Sequence, residues 1–183
     1  MSVWSKKRRV MRRYDSTAHM YDGRYAEEQE AKFEVALKAL NLSCYALVLD
    51  AGCGTGLFFG HVASHADTTI GLDFSRKILL QAKERAKNFS NVHVILADAD
   101  RIPFKEASFD IVFAFTLLQN MPNPDETLKE IGRAAKHGAL LVITGLKKAF
   151  PLETFEKLLR DSGLRIISLH DNALKCYVAI CRI

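Results

Sequence analysis

Short apolar runs alternate along this chain with longer segments that mix apolar and charged residues. Seven runs are rich in aliphatic, aromatic or β-branched residues and are bounded by turn residues, which is typical of strands. The first, "ALVLDAG", ends at glycine, as strands buried on both faces of a parallel sheet often do. The last two predict a terminal strand pair around the turn residues 171–173. The seven predicted strands are residues 46–52, 68–73, 92–98, 108–116, 138–146, 164–170 and 174–183.

Between these runs, apolar and charged positions recur at helical spacing. Ser75 and Asn123 stand where helices are expected to begin, and Pro124 suits a first helical position. Asn41 and Gly163 stand where helices are expected to end. The predicted helices are residues 25–40, 56–65, 76–87, 123–136 and 151–163.

This alternation predicts a doubly wound α/β fold of the Rossmann-like kind. We expect a mainly parallel seven-stranded sheet with an antiparallel C-terminal strand. The length of 183 residues fits a single domain. That domain is expected to span residues 14–183, after a basic N-terminal arm at residues 1–13.

The positive charge is concentrated in the predicted arm. The chain has a formal net charge of +5, yet residues 1–13 hold six basic residues and no acid, so the remainder is slightly acidic. Such a run is either a solvated tail or a segment that binds phosphates. Trp4 lies beside it and favours nucleic acid, because aromatic and cationic side chains together bind bases and phosphates. The six residues are Lys6, Lys7, Arg8, Arg9, Arg12 and Arg13.

Several protein classes are disfavoured by what the sequence lacks. The four cysteines form no C-x-x-C pair, and no cysteine or histidine has metal-ligand spacing, so neither a disulfide framework nor a metal site is expected. No apolar stretch is long enough to span a bilayer, and no signal peptide follows the basic N-terminus. We expect a soluble, cytoplasmic protein without membrane association.

A glycine-rich loop, Gly52-Cys53-Gly54-Thr55-Gly56, follows the first predicted strand. Glycines there allow a sharp turn and a close approach to a ligand, and the amides at the start of the next helix favour an anionic group or a nucleoside. The spacing is G-x-G-x-G and not the G-x-G-x-x-G of dinucleotide sites, and the loop has no P-loop lysine. The alternative is a tight turn without a ligand.

Acidic residues end the next two predicted strands. Asp73 lies about 20 residues after the glycine loop, where a carboxylate can accept both hydrogens of a ribose diol. Asp98, followed by Ala99, is placed to read an adenine edge, and the fourth strand ends in "FTLLQN". Taken singly, each acid is equally consistent with a helix cap or a surface residue. Together they predict a site for adenosine.

The segments "VLDAGCGTG", "GLDFS", "ADADRIPF" and "SFDIVFAFTLLQNM" resemble, in this order, the motifs of class I S-adenosylmethionine-dependent methyltransferases. The resemblance implies that S-adenosylmethionine is the cofactor and S-adenosylhomocysteine the product. Asp50 and the backbone of Gly52, Gly54 and Gly56 would hold its methionine part, and Asp73 its ribose. Phe74, Asp98 and Ala99 would surround the adenine, with Thr116 lining the same site.

The upstream segment "YDSTAHMYDGRY" resembles the entrance helix of the quinone-biosynthesis-type branch of that family. Tyr14 and Tyr21 would close over the cofactor, although simple helix packing explains them equally well. Gln119 and Asn120 follow the fourth strand, where the family's acceptor lies, and are the candidate catalytic residues. Amides orient an exocyclic amine but cannot act as a base, so they favour a nitrogen acceptor. Asn120 could instead only turn the chain before Pro122.

Short loops and the basic arm favour a macromolecular acceptor. We expect a base of ribosomal or transfer RNA to be turned into the pocket, with phosphates bound by Arg8, Arg9, Arg12 and Arg13 as the disordered arm folds on binding. The alternatives are a methyltransferase for a small molecule such as a quinone, one for a protein side chain, or a cofactor-binding scaffold. The compact size also allows a partner such as a small activator protein.

Overall fold

The computed structural model describes residues 2–40, 44–171 and 173–183. Seven strands form the sheet: β1 (Tyr45–Ala51), β2 (Ala66–Asp73), β3 (Val92–Leu96), β4 (Phe109–Ala114), β5 (Ala135–Leu146), β6 (Arg165–His170) and β7 (Cys176–Arg182). Six helices accompany it: α1 (Val3–Thr17), α2 (Tyr21–Ala39), α3 (Phe59–Val62), α4 (Arg76–Ala86), α5 (Pro124–Ala134) and α6 (Leu152–Asp161). Short 3-10 turns lie at Ala18–Met20, Ala63–His65 and Leu118–Asn120.

The sheet has the strand order β3-β2-β1-β4-β5-β7-β6. All pairings from β3 to β5 are parallel, and β7 is antiparallel to both β5 and β6. The predicted fold class, a mainly parallel seven-stranded sheet with an antiparallel C-terminal strand, is confirmed. The apolar run of β1 explains its central place, since Val48, Leu49 and Ala51 are fully buried.

The chain reverses its direction of winding at β1, which pairs with β2 on one side and β4 on the other. In such sheets ligands bind in the crevice outside the carboxyl ends of the strands at this reversal. The glycine loop follows β1, and the segment at Thr116 follows β4. The fold therefore brings both to one crevice.

The N-terminal segment differs from the disordered arm expected from its charge. Residues Val3–Thr17 form α1, whose first turn is capped by the Ser2 hydroxyl accepting from the Ser5 amide at 3.2 Å. Lys7 is buried and forms ion pairs with Asp98 and Asp100. Because this contact fixes the basic segment to the sheet, the expectation of a disordered tail is wrong. Helix α1 also runs through residue 13, and the domain boundary there stays a prediction.

Some element boundaries were predicted less well than the elements themselves. The helix expected at residues 56–65 is one α-helical turn, α3, followed by a 3-10 turn. Ser75 occupies the predicted N-cap of α4, but the Lys77 amide donates to Asp15 Oδ1 at 3.1 Å, so a residue of α1 accepts in its place. Asn41, the expected helix stop, and Asn172 of the predicted terminal turn lie outside the described residues.

Candidate cofactor and acceptor site

The glycine loop has a backbone that only glycine adopts without strain at three positions. Gly52, Gly54 and Gly56 have φ of +77°, +56° and +77°. A Cβ at Gly52 would lie 3.0 Å from Leu117 Cδ1, and one at Gly56 would lie 2.4 Å from Phe59 Cε2. Gly52 and Gly54 line a cavity of the crevice, whereas Gly56 faces Phe59 in the core. Gly56 therefore shapes the loop and is not part of the cavity wall.

Asp73 connects the end of β2 to the glycine loop. Its Oδ2 accepts from the Gly54 amide at 3.1 Å, and its Oδ1 accepts from the Ser75 amide at 2.8 Å. Burial raises the pKa of this carboxyl to about 6, although the backbone donors oppose the shift. Asp73 lines the same cavity as Gly52 and Gly54, and its contact with a ribose stays a prediction.

Asp50 is the most strongly perturbed acid of the site. It is 2% exposed, and its Oδ2 has no hydrogen-bond partner in the described part of the chain. Burial, and secondarily the charge of Asp73, raise its pKa to about 8. An unpartnered buried carboxylate oxygen is costly unless a ligand supplies a donor. Asp50 also lines a small cavity beside the glycine loop, so it fits an ammonium group such as that of a methionine moiety.

The cavity lined by Gly52, Gly54 and Asp73, called the cofactor cavity below, brings together most of the predicted cofactor residues. These are Tyr14, Tyr21, Gly52, Gly54, Asp73, Phe74, Asp98, Ala99 and Thr116. Asp98 differs in one respect from expectation, because its carboxylate is paired with Lys7, whose Nζ lies 2.6 Å from Oδ2. Lys7 was missed as a site residue because nothing in the run of basic residues distinguishes the one that faces inward.

Thr116 has an unusual backbone for a non-glycine residue, with φ of +56°. Its amide donates to Thr144 Oγ1 at 2.7 Å, and its carbonyl accepts from Asn120 Nδ2 at 2.8 Å. Asn120 Nδ2 also donates to the Tyr14 hydroxyl at 3.0 Å, while Arg13 donates to Asn120 Oδ1 at 2.6 Å. The predicted catalytic Asn120 is thus held in a fixed orientation by α1 and by the β4 segment.

A second cavity of about 510 Å³, called the acceptor cavity, adjoins the first. The two share Tyr14, Tyr21, Thr116 and Asn120, and the predicted Gln119 and Arg13 line the second. Burial raises the pKa of both tyrosines, so their hydroxyls keep their protons near neutral pH. Arg8, Arg9 and Arg12 lie together elsewhere, on the exposed side of α1.

Sequence reasoning missed the charged wall of the acceptor cavity. Gln29 and Lys32 of α2 are 5% and 2% exposed, and Lys32 Nζ donates to Glu28 Oε1 at 2.9 Å and to Thr116 Oγ1 at 3.1 Å. Charged residues of an amphipathic helix are expected on its solvent face. The spacing of Glu28 and Lys32, four residues apart beside the buried Phe33, was the available signal.

The structure thus combines a Rossmann-like α/β fold with a crevice lined by Asp73 and Asp98 and an adjoining second cavity. A family described as "Methyltransferase domain" matches residues 49–143, just over half of the chain. The chain belongs to this methyltransferase-domain family. This confirms the resemblance to methyltransferases that the motifs indicated.

Two curated relatives illustrate the similarity. The malonyl-[acyl-carrier protein] O-methyltransferase of Marinomonas sp. (strain MWYL1) is 34% identical over 150 residues, covering 81% of this chain and 55% of that protein. The demethylmenaquinone methyltransferase of Staphylococcus haemolyticus (strain JCSC1435) is 34% identical over 110 residues, covering 58% of this chain and 46% of that protein. The chain spans about half the length of these curated relatives.

Solved structures share the fold. The 1,6-didemethyltoxoflavin-N1-methyltransferase of Burkholderia thailandensis superposes with a TM-score of 0.82 at 18% identity, covering 100% of this chain and 90% of its own. A SAM-dependent methyltransferase from Aquifex aeolicus gives a TM-score of 0.73 at 24% identity, covering 82% and 89% of the two chains. Within residues 2–40, 44–171 and 173–183, no helix is long and apolar enough to cross a membrane, and no acidic, histidine or cysteine cluster could hold a metal ion.

Proposed function

We propose that this protein transfers a methyl group from S-adenosylmethionine to a small-molecule acceptor bound in the acceptor cavity. The observation that carries the proposal is the junction of the two cavities at Tyr14, Tyr21, Thr116 and Asn120. A cavity of about 510 Å³ suits a metabolite, and ligand sites of this kind hold most of a small ligand's surface. The family membership of the chain supports the same reaction type.

The linings of the cofactor cavity and of the small cavity beside the glycine loop support an assignment of the cofactor residues. We assign Asp50 to the methionine ammonium, since its buried Oδ2 has no other partner in the described residues. The backbone of Gly52 and Gly54 would lie against the methionine part, and Asp73 would accept from the ribose hydroxyls. Phe74, Asp98 and Ala99 would enclose the adenine, and Tyr14, Tyr21 and Thr116 the region next to the acceptor cavity. Bound there, S-adenosylmethionine supplies an activated methyl group on a sulfonium.

The chain's own part in catalysis is positioning. Displacement at a methyl carbon needs the nucleophile held in line, with water excluded. The Asn120 side chain is hydrogen-bonded to Thr116, Tyr14 and Arg13, so it stabilises the wall where the two cavities join. Gln119 Oε1 is buried and has no partner among the described residues, so it is free to accept a hydrogen bond from an N–H or O–H of the acceptor.

The names of the curated relatives favour an acyl or quinone group as the acceptor over a nucleic acid. The named acceptors of the two relatives above are a malonyl group on a carrier protein and demethylmenaquinone. Neither name mentions a nucleic acid. An acyl or quinone-like acceptor is therefore our first candidate class for this chain, and a cytoplasmic location and a small activator protein stay predictions.

A second candidate acceptor is a base of ribosomal or transfer RNA. It is favoured by the exposed Arg8, Arg9 and Arg12 on α1, with Trp4 55% exposed on the same helix. Such a face would supply sequence-independent binding to phosphates.

The two candidates separate in one labelling experiment. Methyl-labelled S-adenosylmethionine is incubated with the protein and either an ultrafiltered low-mass cell extract or unmodified total RNA. Label in low-mass products supports the proposal. Label only in RNA would replace it with the second candidate.

A further inference from the structure

We infer that the acceptor carries an anionic group, a carboxylate or a phosphate, which binds the cationic wall of the acceptor cavity formed by Lys32, Arg24, Arg13 and Lys175. The inference rests on the proposed function and names its substrate class. It places the anionic group of the acceptor on these cations and its reacting N–H or O–H group near Gln119, at the junction with the cofactor cavity.

The charge of the cavity wall is unbalanced. Four cationic residues line the cavity and one carboxylate, that of Glu28, does so. Glu28 is shared, accepting from Lys32 at 2.9 Å through Oε1 and from Lys175 at 3.1 Å through Oε2. Burial raises the pKa of Glu28, but these two hydrogen bonds outweigh it and lower the pKa below its usual value, so the carboxylate is charged. One negative charge thus faces four positive ones.

Both arginines of the wall lack an acidic partner within the described residues. Arg24 Nη2 contacts only the Met20 Sδ, at 3.6 Å. The Arg13 guanidinium lies 5.0 Å from the centre of the Tyr14 ring, donates to Asn120 Oδ1 at 2.6 Å and is also a hydrogen-bonding neighbour of the Tyr14 hydroxyl. A guanidinium has five N–H donors in a planar fork that matches carboxylate and phosphate oxygens. Most of these donors remain for a ligand at the mouth of the cavity.

Lys32 supplies an independent observation, because this buried lysine lines the acceptor cavity. Its side chain is 2% exposed, yet its ammonium has three N–H groups and only two partners in the described part of the chain, Glu28 Oε1 and Thr116 Oγ1. A buried ammonium with one of its three N–H groups unpaired is unfavourable. An anionic oxygen in the cavity would complete its hydrogen bonds.

The Gln119 side chain implies a second property of the acceptor, a hydrogen-bond donor. Its buried Oε1 lacks a donor among the described residues, so the acceptor that satisfies it carries an N–H or O–H as well as the anionic group. An anion that fills only the cationic wall would leave this oxygen unpaired. The third N–H of Lys32, a donor, and the unpaired Oε1 of Gln119, an acceptor, together describe a bifunctional acid.

Three small probes of similar shape test the inference: benzoate, phenyl phosphate and the neutral benzamide. Their affinities are compared by saturation-transfer NMR on the protein with and without S-adenosylhomocysteine. We expect one of the anions to bind at least about tenfold more tightly than benzamide, as for charge-assisted hydrogen bonds. The tighter of the two anions identifies carboxylate or phosphate. Equal binding of all three, or binding of none, overturns the inference.

Variants locate the anion. Lys32→Gln and Arg24→Gln should each reduce the anion preference to about twofold or less. Arg24→Gln keeps the test valid if the buried Lys32→Gln variant misfolds, because Arg24 is exposed and has no ion pair among the described residues. Lys38→Gln, at an exposed position on the same helix, is the matched control and should keep the preference. A preference that survives both site variants overturns the inference.

Failure of the proposed function can be distinguished experimentally from failure of the inferred anionic substrate class. Calorimetric binding of S-adenosylhomocysteine and labelling of a low-mass extract test that function directly. Labelled products that are small but pass through an anion-exchange column would leave the proposed function standing and overturn only the anionic substrate class.

Discussion

The ammonium of Lys7 lies 2.6 Å from Oδ2 of Asp98, and so the first helix of the chain is fastened to the rim of the cofactor cavity. The same ammonium is paired with Asp100, whose side chain is 13% exposed. One buried cation thus compensates two carboxylates in the segment that follows β3.

Lys7→Met should leave those carboxylates uncompensated. Removing one partner of a buried pair costs up to several kcal/mol, and because Asp98 is partly solvated we expect a loss of about 2–3 kcal/mol in the free energy of unfolding. Urea unfolding would measure the loss. Lys6→Met changes the exposed neighbour and is the control. If both variants lose the same stability, Lys7 does not fasten the helix.

Asp50 makes the stability of the ligand-free protein depend on pH. Its pKa is about 8 in the folded protein and 3.8 as the ordinary value, so between these values the unfolded chain binds fewer protons. The free energy of unfolding therefore falls as pH rises through this window. Asp50→Asn should remove this contribution, and its stability relative to the natural chain should increase towards pH 8. Denaturant unfolding at a series of pH values measures the difference.

The same carboxyl should couple ligand binding to pH. A methionine ammonium requires ionised Asp50, so S-adenosylhomocysteine should displace a proton and bind more tightly as pH rises towards about 8. Calorimetry in two buffers of different ionisation enthalpy measures that proton. Equal proton release by Asp50→Asn would assign it to another group.

Asp73→Ala should weaken S-adenosylhomocysteine binding. Hydrogen bonds to a charged group contribute about 1.5–3 kcal/mol, which is a loss of roughly tenfold to a hundredfold in affinity. Asp67→Ala, at the exposed start of the same strand, is the matched control. An unchanged dissociation constant for Asp73→Ala would rule out the ribose assignment.

Local sequence patterns predicted the fold and the cofactor crevice, because each signal lies within one strand and the turn after it. The glycines after β1 and Asp73 after β2 are of this kind. The acceptor cavity was not predicted, because it depends on distant contacts: Lys32 of α2 meets Thr116 after β4, 3.1 Å apart. Likewise, Lys7 lies in a run of similar cations, and only its ion pairs with Asp98, 91 residues away, and with Asp100 distinguish it as the buried one.

Gly56→Ala tests the backbone of the glycine loop. A left-handed φ costs a non-glycine residue roughly 1–2 kcal/mol, and the new Cβ would also meet the Phe59 ring at 2.4 Å. We expect a loss of about 2 kcal/mol or more in the free energy of unfolding. Gly23→Ala in α2, where a Cβ meets nothing within 4 Å, should instead be neutral or stabilising by about 0.5–1 kcal/mol. Similar losses in both variants would contradict the steric argument.

The exposed basic face of α1 separates the two acceptor classes. Replacing Arg8, Arg9 and Arg12 together by Gln removes three charges that line neither cavity. If the acceptor is a small molecule, labelling of a low-mass extract should stay within about twofold of the unaltered protein, because surface substitutions away from a site are nearly neutral.

Retention of RNA on filters should respond differently. Fewer phosphate contacts should weaken it and flatten its dependence on salt, since each lost contact reduces the number of counterions released. A variant that retains less RNA yet labels small molecules normally would show that this face binds polyanions without defining the methyl acceptor. Loss of RNA labelling together with RNA retention would favour an RNA acceptor, because binding at α1 would then be required for the transfer itself.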